Sequence, residues 1–88
     1  MLERIAFVEG VRTPFCKAGT AFKDVPAYEL GRVAVRELLY RTELDPKKID
    51  HVVIGNVSQP PEAANIARVI ALKAGVPQPV PAYTVHRN

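Results

Sequence analysis

The sequence predicts an α/β fold in the order β–α–β–α–β, with a largely parallel sheet and helices on its faces. Three observations carry this. Ile5–Val8, His51–Gly55 and Ala82–Val85 are short runs rich in apolar, branched or aromatic residues. The stretches between them repeat apolar residues every three or four positions. Proline or glycine punctuates the junctions.

Ile5–Val8 ends at Glu9-Gly10 and reads as a buried strand. Residues 11–25 carry Pro14 and Gly19 among scattered polar residues, a long loop of the kind often used in contacts. Pro26 suits a first helical turn, with Asp24 nearby as a cap. Leu30, Val33, Ala34 and Leu38 then form an apolar stripe, and Ala27 extends it. Glu29, Arg32, Arg36, Glu37 and Arg41 lie largely off that stripe, and Glu37 can pair with Arg41 across one turn. Gly31 within the helix costs about 1 kcal/mol relative to alanine, which implies close approach of a neighbouring element.

Residues 44–49 read as a single capped turn, with Asp45 accepting from free amides and Pro46 in the first helical position. His51–Gly55 lacks polar alternation, as in a strand covered on both faces. Ser58-Gln59-Pro60-Pro61 is a turn. Asn65–Ala74 is a second helix with Ile66, Val69, Ile70 and Ala74 on one side; it stops at Gly75, with Pro77 two residues on. Residues 77–81 form an extended linker to the third strand. Three strands apolar on both faces need more cover than two helices supply, so the 88 residues are expected to be an incomplete domain.

Composition narrows the function. A net charge of +3 is mild, and no basic block is interleaved with aromatics, so nucleic-acid binding has no support. A single cysteine cannot close an intrachain disulfide, which points to a reducing compartment. No run approaches the roughly 20 apolar residues of a membrane span. With no targeting segment before Ile5, a cytoplasmic protein is the expectation. Gly10 does not begin the G-x-G-x-x-G spacing of a dinucleotide fold, and no phosphate-binding glycine loop is present. An acidic pair after the first strand, as in a phosphoacceptor receiver, is missing too.

Motifs in order supply a more specific reading. Val11-Arg12-Thr13-Pro14-Phe15, Tyr28-Glu29-Leu30-Gly31, Ile54-Gly55-Asn56-Val57, Pro61-Glu62-Ala63-Ala64-Asn65-Ile66-Ala67-Arg68 and the final Pro81–Asn88 together resemble the opening of a thiolase. The Pro61–Arg68 stretch is most similar to 3-ketoacyl-CoA thiolases of bacterial fatty-acid oxidation complexes. The resemblance implies the first part of the first of two similar α/β halves. It implies an acyltransferase that cleaves a 3-ketoacyl-CoA with coenzyme A as co-substrate, or runs the reverse condensation, through a cysteine acyl-enzyme. The nucleophilic cysteine is expected directly after Asn88, so no catalytic residue falls within the chain, and no coenzyme A contact is assigned to a particular residue. The remainder of the thiolase chain, a homodimer or higher oligomer and a fatty-acid oxidation partner are the implied partners. Tyr83, Thr84, Val85, His86 and Arg87 are the implied subunit interface, because thiolases pair through the strand that precedes the nucleophile. A non-catalytic thiolase-fold protein that binds acyl-CoA or lipid, or acts as a scaffold, is the alternative.

Several residues invite a role and are read structurally. Cys16 lies in a proline-containing loop with no helix starting after it, so it is an ordinary thiol. His51 opens a strand toward solvent, and His86 suits packing or a subunit contact. Two histidines and one cysteine without ligand spacing make no metal site. Arg12 and Arg68 are read as ties to loop or helix-end carbonyls or carboxylates rather than as phosphate ligands.

Overall fold

A computed structural model of the chain describes residues 3–58 and 60–87. Helix α1 spans Ala27–Thr42, a single 3-10 turn Pro46–Lys48, strand β1 Val52–Asn56, helix α2 Ile66–Ala74 and strand β2 Ala82–His86. β1 and β2 pair in parallel, with Val52 opposite Ala82, Ile54 opposite Thr84 and Asn56 opposite His86. Gln59, in the turn expected at 58–61, and Asn88 lie outside the described residues.

α2 is the centre of the packing. Ile66, Ala67, Ile70, Ala71 and Ala74 are buried, a stripe at three- and four-residue spacing. Ala67 and Ala71 join Val76, Val80 and Ala82 in one cluster, against which Leu39, Ile49, Val52 and Ile54 pack. Ile66, Ile70 and Ala63 form a second cluster with Tyr28, Val35 and Ile54 at its border. Burying each isoleucine contributes about 1.5–3 kcal/mol. α2 ends as expected at Gly75, which adopts φ 97° and returns its amide to the Ala71 and Leu72 carbonyls. The Val76 amide donates to the Ala71 carbonyl at 2.9 Å and completes the cap.

α1 packs on α2 at the glycine marked out in the sequence. A Cβ on Gly31 would stand 2.4 Å from Ile70 Cδ1 and 2.9 Å from Cγ1, so the missing side chain is what admits Ile70. Glu37 and Arg41 pair at 2.9 Å, and Asp45 accepts from the Lys47 amide at 3.0 Å. Glu29 pairs with Arg32 one turn on; that hydrogen bond holds its carboxyl below the usual carboxylate value. The expected cap from Asp24 is not made. Pro26 occupies the cap position in an extended conformation, and no side chain accepts from the first turn.

The structure corrects the sequence reading in two further places. Residues 5–8 are not a strand: Ile5 and Phe7 are 88% and 103% exposed, and the described residues form a sheet of two strands. A four-residue run offers few ladder bonds against the entropy of ordering it, and its side chains would need cover on both faces. Ala6–Glu9 instead borders an apolar trough of about 600 Å³, whose other walls include Val35, Leu38 and Leu39 of α1 and Val52–Ile54 of β1. Nor do the helices cover both faces. The side chains of α1 and α2 meet Val52, Ile54 and Ala82 on one face, while Val53, Tyr83 and Val85 of the other are about half exposed.

Gly31→Ala should destabilise the protein. Overpacking against Ile70 costs about 1–3 kcal/mol and outweighs the gain of about 1 kcal/mol in helix propensity. Trimming the neighbour in Gly31→Ala/Ile70→Val should recover part of the loss. Unfolding midpoints of the two singles and the double check this; strictly additive losses would count against the contact.

Candidate functional site at the carboxyl ends of the strands

The inner face of the sheet changes character along its length. It runs from Val52 opposite Ala82, through Ile54 opposite Thr84, to Asn56 opposite His86. The apolar end seats α2, and the polar end faces the start of that helix.

Asn65 joins the two. As the cap of α2 it accepts from the Arg68 amide at 3.4 Å. The same Oδ1 accepts the Thr84 hydroxyl proton at 2.8 Å. Its Nδ2 donates to the Ala82 carbonyl at 3.2 Å. Thr84 Oγ1 in turn accepts the Ala67 amide at 3.1 Å. The Ala67 amide, which the helix leaves without an internal acceptor, is thereby satisfied across the gap to β2, while the Arg68 amide is held by Asn65 through its side chain and, at 3.1 Å, its carbonyl. The result is a polar clamp that ties the start of α2 to the middle of β2.

Beyond the clamp, the Arg87 amide donates to the Asn56 carbonyl at 3.3 Å, so the ladder continues one residue past β2. At the other end the Val52 amide donates to the Pro81 carbonyl at 2.9 Å. The backbone groups of Pro81 and Arg87 therefore face β1. By the alternation of a parallel ladder, those of Ala82, Thr84 and His86 face the opposite edge. Asn65 covers that edge at Ala82; Thr84 and His86 continue it, with no third strand among the described residues.

The expected interface residues are thus contiguous on β2 and just after it. Tyr83, Val85, His86 and Arg87 are exposed, and Thr84 is partly buried by the clamp. His51, just before β1, sits edge-on to Tyr83 with ring centroids 6.3 Å apart. Cys16 is exposed in the 11–25 loop, well before the start of α1 at Ala27. Arg12 lies over the Phe15 ring at 5.1 Å and donates to the Thr13 carbonyl at 3.2 Å. Arg68 donates to the Gln78 carbonyl at 2.9 Å, holding the 77–80 turn against α2. Both arginines make the local ties expected of them. Among the described residues no group of three or more His, Cys, Asp or Glu side chains comes together as metal ligands, and no helix is long and apolar enough to cross a membrane.

Sequence reasoning missed the dual role of Asn65 and Thr84. Asparagine ahead of an apolar helix is a capping signal, but its reach to a strand residue nineteen positions later depends on the register of β2.

The comparisons with known proteins agree with this architecture. The family description "Thiolase, N-terminal domain" matches residues 5–88, and the chain belongs to the thiolase family. It is 58% identical to a 3-ketoacyl-CoA thiolase of Aeromonas salmonicida over 97% of its own length and 20% of that protein's. A probable acetyl-CoA acyltransferase of Staphylococcus epidermidis is 43% identical over 98% of the chain and 22% of the relative. The chain therefore spans about a fifth of the curated relatives it matches. Among solved structures, the acetyl-CoA acetyltransferase of Bacillus anthracis superposes with a TM-score of 0.82 at 38% identity, covering 88% of this chain and 20% of that one. The Acat5 thiolase of Ascaris suum, solved in complex with coenzyme A, gives 0.83 at 28% identity over the same shares.

Thr84→Val should leave the Ala67 amide without its acceptor and remove the hydroxyl donor from Asn65 Oδ1, which keeps only the Arg68 amide. The expected loss is about 1–3 kcal/mol for the unpaired amide of the buried Ala67. Thr84→Ser keeps the hydroxyl and should stay within about 1 kcal/mol of the parent, the value of one methylene. Chemical unfolding of the two variants checks the clamp, and equal losses in both would contradict it.

Proposed function

We propose that this chain is the opening fifth of a 3-ketoacyl-CoA thiolase, and that β2 delivers its nucleophilic cysteine at the position after Asn88. The observation that carries the reading is the 58% identity to a 3-ketoacyl-CoA thiolase across nearly the whole chain. The architecture is compatible with it. In open α/β sheets, sites lie outside the carboxyl ends of the strands. Arg87 lies at that end, its amide bonded to the Asn56 carbonyl.

The chemistry follows from a thiolate at that point. It attacks the C3 carbonyl carbon of a 3-ketoacyl-CoA; the C2–C3 bond breaks, and the departing carbon takes up a proton as acetyl-CoA. The shortened acyl group stays on the cysteine as a thioester. A coenzyme A thiol then takes it, releasing acyl-CoA and restoring the cysteine; the reverse sequence is the condensation. Supporting donors and the acid–base groups belong to the rest of the protein. Coenzyme A is co-substrate in this reading.

Mass spectrometry after brief exposure of the full-length protein to a 3-ketoacyl-CoA tests the assignment. The acyl group should sit on the peptide that follows Asn88. Cys16→Ser should leave thiolysis unchanged, and serine at the position after Asn88 should abolish the adduct, since a hydroxyl has no comparable fraction of anion near neutral pH. A label on Cys16 would overturn the nucleophile. Absence of any covalent acyl group would favour a non-catalytic acyl-CoA-binding member of the family.

The same reading makes residues 83–87 a subunit contact through the free edge of β2. His86→Pro removes an outward-facing amide while sparing Asn65 and Thr84. It should shift the protein from dimer toward monomer in sedimentation at low concentration. A variant that stays fully dimeric would place the interface elsewhere.

A further inference from the structure

We draw no further inference here: the strongest candidate, the apolar trough of about 600 Å³ that residues 6–9 border against α1 and β1, is an unpartnered apolar surface, and nothing in the structure shows what covers it.

Discussion

Everything at the carboxyl edge of this sheet depends on one bifurcated acceptor, Oδ1 of Asn65. It takes the Thr84 hydroxyl at 2.8 Å and the Arg68 amide at 3.4 Å, while Thr84 takes the Ala67 amide. A helix start and a strand are thus locked in one register by side chains that also cap the helix. The constraint is directional: sliding β2 by one residue would turn Thr84 to the outer face and leave the first turn of α2 without its partners. The packing agrees with the clamp, since Ala67 is wholly buried against the strands it is tied to.

The two ends of the sheet's inner face differ in character. Its apolar end is closed by α2, which is in turn held by α1 through the space Gly31 leaves for Ile70. Its polar end carries Asn56, Thr84 and His86, with the Arg87 amide bonded to the Asn56 carbonyl. Helices on one face alone leave Val53, Tyr83 and Val85 about half exposed, and the 5–8 segment stands off β1 across a trough. Both surfaces are open in a chain that spans about a fifth of the curated relatives it matches.

What could be read from the sequence was what depends on neighbours close along the chain. α2 followed from its apolar spacing and from Gly75, the Asp45 turn from capping chemistry, and the α1–α2 contact from one costly glycine. The order of motifs from Val11 to the closing Pro81–Asn88 segment was enough for the family. What escaped was set by the number and side of partners. An apolar run at 5–8 says that burial is favourable but not which edge supplies hydrogen bonds, and no local pattern tells that α1 and α2 share one face. Asn65 was legible as a cap but not as a link to Thr84.

Amide hydrogen exchange at the first turn of α2 tests the clamp most directly. First-turn amides of a helix have no internal acceptor and exchange quickly unless something else holds them. Thr84 and Asn65 occupy the amides of Ala67 and Arg68. These two should exchange slowly, with protection at Ala67 comparable to that of amides in the middle of α2. Fast exchange at Ala67, at the rate of an uncapped helix end, would contradict the account.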